Sequence, residues 1–500
     1  MTDTAKTCRH VLRFTLEAVT PLSISTGLAG KIFDNDLVRD ANGLPTIPGP
    51  SMAGALRACF SAYFGEAEAK KFFGYEEDRS DSGVASRIDI SFGYYHDSKN
   101  LPVEGLLLGK SRERLGTDPV LALGVREAPV KRDHVAINHR GVARQGAKFD
   151  RTSAPTGSRF SFEIGMWGNR NDIKDCQNIM ATLVWLIRRP EFRLGGASRR
   201  GLGRVNIVEK NGCRGAQYAC FDMTNENGRK AFINYRVIAI NEASASYGFT
   251  ILNPIAPLKV KGRHAVTGDL TLKPVGLWRF GAGETPFGKP EDSDIDMLPL
   301  SEEIITYDII GDGRLVVPGV VVPIPVSGIK GALAHRAEYH YRCAVKCFSD
   351  DCTDPDALPR YMDELFGAVK NKDSDTGQAG HVLIDDAYVC FDNKSIQACT
   401  LQHNSIDRFS QGVRHGALFS EQALMGGEIV LKITVLTRYV DGSLVPKDVR
   451  DAFQKAIRDL CNGELAIGAR GHGFCTGCIK WDDSGEWFDD TGEALDEKAA

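Results

Sequence analysis

Three aspartates fall within seven residues near the start of the chain, in the stretch FDNDLVRD: Asp34, Asp36 and Asp40. Carboxylate oxygens bind hard cations such as Mg²⁺ and Mn²⁺, which proteins hold loosely and largely through water. A cation held there offsets negative charge on a phosphate group. Asp34 and Asp36 are therefore candidate metal ligands, with Asp40 near enough to share the ion. The competing interpretation is structural, because an aspartate in such a loop often caps a turn.

Basic side chains gather in two later stretches that suit an anionic backbone. Residues 131–151 have few apolar side chains, as in a projecting loop, and residues 195–204 form a glycine-rich loop. Exposed amides beside guanidinium groups bind phosphates, and such contacts are salt-sensitive and independent of sequence. A merely solvated basic face is the alternative. The cations are Lys131, Arg132, Arg140, Arg144 and Lys148 in the first stretch and Arg199, Arg200 and Arg204 in the second.

A helix is predicted to begin around Ser51, whose hydroxyl is a candidate N-cap. Pro48 and Gly49 end the preceding strand, and Gly54 lets the helix approach a neighbour or a phosphate closely. Amides at a helix N-terminus bind phosphate, and Arg57 on the same helix would add a charge-assisted contact. An ordinary strand-to-helix turn with a solvated arginine remains the other interpretation.

The thirteen cysteines allow one further kind of site. Cys343, Cys347 and Cys352 cluster after His335 and His340, and four such ligands would build a structural zinc site. Buried thiols that act as small apolar side chains are the alternative. Cys475 and Cys478 form a CxxC pair that would contribute to the same kind of site.

The bulk properties predict a cytoplasmic protein with reduced thiols. No apolar run approaches the ~18 residues of a membrane helix, and the first residues lack the apolar stretch of a secretory signal. The net charge of −4 conceals an asymmetry: residues 130–210 carry 16 Lys or Arg against 7 Asp or Glu, whereas residues 481–500 carry 8 acidic residues against Lys498. A basic centre with an acidic tail can bind a polyanion locally.

Five sequence landmarks occur twice in the same order, which indicates a tandem duplication. We expect one unit over 1–230 and a second over 231–500. Each reads as strand, helix, strands, helix, strand, so the fold class is α+β with two ferredoxin-like (RRM-like) domains. Such domains often hold single-stranded RNA on the open sheet face and nearby loops. The paired landmarks are 14–24 with 249–260, 47–56 with 324–333, 72–74 with 365–367, 87–91 with 381–385, and 195–203 with 468–473.

The stretch FDNDLVRDANGLPTIPGPSMAGALR, residues 33–57, resembles the RAMP superfamily, in particular the backbone subunits of type III CRISPR complexes. It departs from that pattern at Asp36, where proline is common, at Pro50 and at Met52-Ala53. The resemblance implies a subunit that binds a CRISPR guide RNA, a single-stranded target RNA and other effector subunits. It also implies a thumb hairpin near residues 131–151 that crosses the duplex and flips one nucleotide out.

By the same resemblance Asp34 matches the family's catalytic aspartate, and the chain is a metal-dependent endoribonuclease that cuts the target. Laying Ile324-Pro325 on Ile47-Pro48 puts the counterpart of Asp34 at Gly311, so Asp308 and Asp312 are the candidates for a second site, which is otherwise missing. The second unit's candidate RNA-binding cations are Lys330, Arg408, Arg414 and Arg470.

Three other functions compete with this one. The chain is a non-catalytic scaffold if Asp34 is structural. It is a RAMP endoribonuclease that processes guide precursors if His134 or His139 acts as a general acid or base. It is a metabolic enzyme if the glycine-rich loop binds a nucleotide phosphate, but the strand-loop-helix context of a Rossmann site is lacking.

Overall fold

The computed structural model describes residues 6–27, 32–76, 83–138, 141–209, 215–235, 248–255, 265–281, 283–288, 294–307, 313–316, 320–347, 360–368, 377–392, 394–437 and 445–482. Within these residues helices and strands alternate as the repeat predicts. Two main hydrophobic cores form, one built largely from the first half of the chain and one from the second half.

The first unit is built from eleven described strands and six described α-helices. Its strands are β1 (Cys8–Ala18), β2 (Tyr75–Glu76), β3 (Gly83–Val84), β4 (Ile88–Ile90), β5 (Tyr94–Tyr95), β6 (Val130–Ile137), β7 (Ala143–Ser153), β8 (Arg159–Gly168), β9 (Val205–Ile207), β10 (Gln217–Asp222) and β11 (Thr250–Ile251). Its helices are α1 (Gly49–Phe64), α2 (Glu66–Phe73), α3 (Arg114–Thr117), α4 (Pro119–Gly124), α5 (Ile173–Ile187) and α6 (Glu226–Tyr235).

The first sheet has the ferredoxin-like strand order. β1 pairs antiparallel with β8 on one side and with β9 and β10 on the other, and β4 pairs with the far edge of β8. Leu12, Phe14 and Leu16 alternate along β1 and face the helices, as a strand with one face in the core requires. On α5, Met180 and Val184 repeat at helical spacing and fill the same core. The α+β prediction is confirmed here.

The opposite face of this sheet is covered, which the sequence did not predict. Tyr235 on α6 and Phe249 pack on Val11 and Phe221 of the strands, in a small cluster of buried side chains. Leu252 joins the main first core. The first unit's packing therefore continues past residue 230, and the part of the sheet face around Val11 and Phe221 is covered.

The second unit repeats the plan with thirteen described strands and three described α-helices. Its strands are β12 (Ala265–Pro274), β13 (Leu277–Trp278), β14 (Ile304–Tyr307), β15 (Gly313–Val316), β16 (Val321–Ile324), β17 (Gly367–Ala368), β18 (Gln378–Ala379), β19 (Val382–Ile384), β20 (Ala387–Cys390), β21 (Ile396–His403), β22 (Phe419–Gly426), β23 (Ile429–Leu436) and β24 (Cys475–Trp481). Its helices are α7 (Val326–Val345), α8 (Arg360–Phe366) and α9 (Lys447–Cys461).

The second sheet has the same strand order, β24-β12-β23-β19. β12 therefore takes the place of β1, and the expected match of 249–260 with 14–24 is wrong. Thr250 and Ile251 instead form the short strand β11 at the edge of the first sheet, and residues 256–260 lie outside the described residues.

A hairpin of the second unit, β14–β15, packs on the first unit. The Ile305 amide donates to the Thr156 carbonyl at 2.9 Å, and the Ile305 side chain lies in the first core. The Arg159 guanidinium lies 3.8 Å above the Tyr307 ring. The two units are thus packed against each other as well as covalently joined.

No helix in the described part of the chain is both long enough and apolar enough to cross a membrane.

Candidate RNA interface and carboxylate loops

Asp34 lies in the loop after β1, exposed, at the base of the hairpin formed by β6 and β7, here called the first thumb (130–153). Its amide donates to Asp150 Oδ1 at 2.8 Å, and the Asp150 amide donates to Asp34 Oδ2 at 3.0 Å. This reciprocal pair fixes the loop to the thumb and leaves carboxylate oxygens facing solvent. Asp150 was not among the predicted site residues.

The other two aspartates of the loop differ in their roles. Asp40 accepts hydrogen bonds from the Asn42 and Leu44 amides at 2.8 and 2.9 Å, so it caps a turn. Asp36 is half-buried, and its backbone carbonyl accepts from the Thr26 amide. The metal prediction for Asp34 and Asp36 therefore stays a prediction, with Asp150 as an additional oxygen donor.

The first thumb has an exposed basic surface, and two side-chain rings stack on each other at the base of the hairpin. Lys131, Arg144 and Lys148 are exposed along its strands, whereas Arg140 lies outside the described residues. At the base, His134 stacks on Phe149 across the strands with ring centroids 5.0 Å apart. Arg200 of the glycine-rich loop lies 5.3 Å above the same Phe149 ring. The thumb and the glycine-rich loop are thereby joined.

The second unit repeats this arrangement at its own hairpin, β21–β22, here called the second thumb (396–426). His403 stacks on Phe419 with ring centroids 5.0 Å apart, and Arg470 lies 4.5 Å above the Phe419 ring. Arg408 and Arg414 are exposed on the segment that joins its strands. The two thumbs thus correspond down to individual side-chain contacts.

The loop after β12 is attached to the second thumb in the same way as the Asp34 loop is attached to the first. The Asp296 amide donates to Ser420 Oγ at 3.0 Å, and the Ser420 amide donates to Asp296 Oδ2 at 2.7 Å. Asp296 is exposed, like Asp34. Hydrogen bonds from Ser420 lower the pKa of the Asp296 carboxyl.

Asp308 and Asp312 lie outside the described residues. The place in the fold that they were expected to fill, the loop that follows the first strand and meets the thumb, is occupied by Asp296. Asp34 stands 13 residues before Ile47, whereas Asp296 stands 28 residues before Ile324, because β14 and β15 are inserted between them. Equal spacing from the Ile-Pro landmark therefore does not lead to Asp296, and the prediction for Asp308 and Asp312 stays a prediction.

Two predicted RNA-binding cations are buried between the units, which corrects their assignment to an exposed surface. Arg132 is 4% exposed and is ion-paired with Glu302 and Asp386. Burial raises the pKa of the Glu302 carboxyl to about 7. Lys330 is 7% exposed, and its Nζ donates to the carbonyls of Arg199 and Val382 at 3.0 and 2.8 Å. Sequence alone could not reveal these distant partners.

Two arginines of the first unit's glycine-rich loop, Arg199 and Arg204, contact the second unit. Arg199 Nε donates to the Gly380 carbonyl at 2.7 Å. Arg204 pairs with Asp385, as does the buried Arg193, whose Nη2 lies 2.6 Å from Asp385 Oδ1. Of the three arginines predicted in this loop, Arg200 has the most exposed position.

Helix α1 begins earlier than predicted, so Ser51 is not its N-cap. The helix starts at Gly49 after Pro48, and Ser51 lies inside its first turn. Arg57 on this helix pairs with Glu66 at 2.7 Å and lines a groove between α1 and β4. Helix α7 likewise starts directly after a proline, at Val326 after Pro325.

The cysteines predicted to bind zinc do not converge in the described part of the chain. Cys343 and Cys347 are exposed, Cys475 is buried on β24, and Cys352 lies outside the described residues. The described side chains that do converge as potential metal ligands are His10, Asp172 and Cys176, whose ligand atoms lie within 4.8 Å of one another.

A weak sequence signal for the missed aspartate exists. Asp296 follows Ile295 as Asp34 follows Phe33, each between the unit's first strand and its Ile-Pro landmark. Recognising it requires knowledge that β12, and not residues 249–260, is the first strand of the second unit.

A protein-family model of the RAMP superfamily matches residues 15–206 and 303–476, which together make up most of the chain. No curated protein matches the sequence. The first match covers α1, α5 and the first thumb, and the second covers α7, α9 and the second thumb but begins after β12. The chain therefore belongs to the RAMP superfamily, as a tandem pair of units, and is a CRISPR-associated RNA-binding protein.

Proposed function

We propose that the chain is a backbone subunit of a type III CRISPR interference complex that holds guide and target RNA and cleaves the target at Asp34. The observation that carries the proposal is the reciprocal hydrogen bonding of Asp34 and Asp150. It holds an exposed carboxylate at the base of a basic hairpin, where a nucleic acid that follows the hairpin must pass.

The electrostatics at this point suit a phosphate backbone. Lys131 and Lys148 lie on the first thumb, and Arg200 lies over its base. Such contacts neutralise phosphates without reading sequence. A subunit that serves any guide needs this kind of binding.

The proposed reaction uses the RNA's own nucleophile. The 2′-hydroxyl oxygen attacks the adjacent phosphorus and loses its proton to water or hydroxide, the P–O5′ bond breaks, and the leaving O5′ takes a proton from water. The products are a 2′,3′-cyclic phosphate and a 5′-hydroxyl. Alignment of the nucleophile with the phosphorus lowers the reaction barrier by several kcal/mol, and by roughly 7 kcal/mol or more in the best-oriented reactions. A nucleotide flipped out by the thumb would have that alignment.

The donor set at Asp34 fits Mg²⁺ or Mn²⁺. Asp34 supplies exposed and Asp150 half-buried carboxylate oxygens from adjoining backbones, with Asp36 two residues from Asp34 in the same loop. A bound ion would offset charge on the phosphate. Asp34 and Asp150 would orient it, and their hydrogen bonds keep the loop in place.

The scaffold function is the second candidate, and the contact between the units favours it. The first unit's glycine-rich loop contacts Lys330 of α7 and Asp385 and Asp386 after β19. By the Ile-Pro landmarks, Ala53 on α1 corresponds to Lys330, and Ala53 lines the open groove beside β4. A preceding backbone subunit would insert its own loop there, as in repeat architectures.

Guide-precursor processing through His134 is less well supported. Burial and the nearby Arg200 lower the pKa of His134 to about 4, and its ring is stacked on Phe149. A general acid or base works best with a pKa near the working pH. His139 lies outside the described residues.

The test is target cleavage by the guide-loaded complex in Mg²⁺, with Asp34→Asn as the main variant. Asparagine keeps an oxygen that accepts from the Asp150 amide, so the loop is expected to keep its shape. Loss of one cut with unchanged RNA affinity supports the nuclease. Survival of every cut in Asp34→Asn and in Asp34→Ala leaves the scaffold function.

A further inference from the structure

We propose that Asp296 is the carboxylate of a second cleavage site, equivalent to Asp34, in the second unit. The inference rests on the proposed function, because it assigns the same reaction to the second thumb. It replaces Asp308 and Asp312 as the residues on which a second cut would depend.

The first argument is that three hydrogen bonds between the loop of each aspartate and its thumb recur in the two units. Asp34 and Asp296 each donate an amide to a thumb side chain and accept an amide from the same thumb residue, Asp150 or Ser420. One residue further on, the Asn35 carbonyl accepts from the Thr152 amide at 3.1 Å. The Met297 carbonyl accepts from the Gln422 amide at 2.9 Å in the same way.

The second argument is the position of each aspartate relative to its glycine-rich loop. The Gly196 amide donates to the Ser23 carbonyl at 2.7 Å, and the Ala469 amide donates to the Arg279 carbonyl at 2.8 Å. Arg200 and Arg470 then cover the thumb phenylalanines as described above. The loop, the thumb base and the covering arginine thus recur together, and the carboxylate holds the same place among them.

The chemistry of the two sites differs at one thumb position. Asp150 adds a second carboxylate beside Asp34, whereas Ser420 supplies a hydroxyl beside Asp296. Affinity for a hard divalent cation rises with the number of charged oxygen ligands. We therefore expect cleavage at the second site to need more Mg²⁺ for half-maximal rate than cleavage at the first.

A neighbouring pair of residues exchanges its charges between the units. Arg151 donates to Ser23 Oγ at 3.1 Å, whereas Glu421 at the matching thumb position accepts from Arg279 Nε at 2.7 Å. Glu421 is buried and also lies near Arg470 and His403. The named charges nevertheless balance at both sites, because Asp150 adds a negative charge to the first, so the two sites differ in where their charges lie.

The experiment compares cut positions in guide-loaded complexes that carry Asp296→Asn, Asp34→Asn, or Asp308→Ala with Asp312→Ala. Asp296→Asn is expected to abolish one cut, at least a hundredfold in rate, and to leave the Asp34-dependent cut and the RNA affinity unchanged. Asp294→Ala, an exposed aspartate two residues away, is the matched control and should keep both cuts. Ser420→Asp should lower the Mg²⁺ requirement of the second cut.

The outcomes separate this inference from the proposed function. If Asp34→Asn removes one cut and Asp296→Asn removes none, the Asp296 inference is wrong and the first nuclease site stands. If the Asp308 and Asp312 substitutions remove a cut that Asp296→Asn leaves, the sequence alignment was right instead. If no variant removes a cut, the nuclease function itself fails.

A different observation carries a second proposal: the geometry points to a structural Zn²⁺ site formed by His10, Asp172 and Cys176. His10 is fully buried on β1, and its Nδ1 hydrogen-bonds with the Tyr218 hydroxyl at 2.7 Å. Its Nε2 is buried without a hydrogen-bond partner. A ring nitrogen left open while the other is hydrogen-bonded is the usual arrangement of a metal-binding histidine.

The three ligand atoms surround one open point beside Gly168. A methyl carbon at Gly168 would lie 2.8 Å from Asp172 Oδ1, 2.8 Å from Cys176 Sγ and 3.0 Å from His10 Nε2. Nitrogen, oxygen and thiolate donors in one set suit Zn²⁺. The ion would tie the start of α5 to β1.

Zinc content per chain and thermal unfolding with and without a chelator test this site. Wild type is expected to hold one Zn²⁺ and to lose several degrees of Tm on chelation. Cys176→Ala and Gly168→Ala should each lose the ion, while Gly54→Ala, which adds a methyl to open space, should keep it. A wild-type chain that takes up no stoichiometric Zn²⁺, or a Cys176→Ala variant that retains it, overturns the assignment.

Discussion

Replacing Arg132 by alanine tests whether the buried contact between the units stabilises the fold or whether this residue serves RNA. Arg132 is 4% exposed, and the side chains of Glu302 and Asp386 that pair with it are 5% and 2% exposed. Removal of one partner from such a buried group leaves carboxylates uncompensated and costs about 3–5 kcal/mol. Arg132→Ala should therefore lower the free energy of unfolding by about that amount.

The size of this effect should depend on pH. Burial raises the pKa of Glu302 to about 7, above its unfolded value, so the native state binds this proton more tightly. A raised carboxyl pKa means that stability falls as pH rises from the unfolded pKa to about 7. Without Arg132 the ionised form loses its paired cation and keeps the hydrogen bond from the Tyr388 hydroxyl at 3.1 Å, so the loss in Arg132→Ala should be greater at pH 8 than at pH 6.

Thermal and urea unfolding at both pH values, followed by tryptophan fluorescence, measure the change, with filter binding for RNA affinity. Lys148→Ala on the exposed part of the first thumb is the control and should leave stability within about 0.5 kcal/mol. The double variant with Arg132→Met and Glu302→Gln should recover part of the stability that Arg132→Ala loses. Wild-type stability in Arg132→Ala together with weakened RNA binding would refute the reasoning and return Arg132 to the RNA surface.

Three further predictions concern the interface, the thumb and a buried histidine. Gly201→Ala should destabilise the contact between the units, because φ at this position is +101° and the new methyl would lie 1.9 Å from an Asp386 oxygen. Limited proteolysis should then cut faster between the units, and an unchanged digest would contradict the prediction. Lys131→Ala with Lys148→Ala should reduce the slope of log affinity against log salt by about 1.4, measured by RNA titration, if each contacts one phosphate; an unchanged slope would exclude both contacts. Burial lowers the pKa of His96 to about 4, so the folded protein favours the neutral ring. The free energy of unfolding should therefore fall by roughly 3 kcal/mol as pH falls from 6.5 to 4. Urea titrations should show a smaller loss in His96→Gln, and equal losses in both proteins would refute the assignment of this loss to His96.

The fold was largely predictable because the sequence patterns that mark its helices and strands are local. Proline and glycine mark the start of α1 and α7, and alternating apolar residues mark β1. The repeat of these signals predicted two ferredoxin-like units. The first strand of the second unit was missed because residues 249–260 imitate residues 14–24 in composition, whereas sheet pairing places β12 there.

The site was predictable only in part because its charges find partners across long sequence separations. The loop that carries Asp34 can be singled out from the sequence, but Asp150, to which it is hydrogen-bonded, lies 116 residues away. Arg132 was read as an RNA ligand, since nothing near it in sequence indicates that Glu302 and Asp386 surround it. Exposure and partnership are properties of the folded chain, and composition cannot separate a buried cation from a solvated one.

The β14–β15 hairpin has a consequence for the order in which the protein matures. N-terminal domains generally fold first as a chain leaves the ribosome. Ile305, however, completes the first core from within the second unit, and Gly157 leaves room for the Ile305 carbonyl. The first unit thus emerges with an unfilled side that only later synthesis closes. Fusion of the two units therefore makes their correct adjacency a condition for finishing the first one.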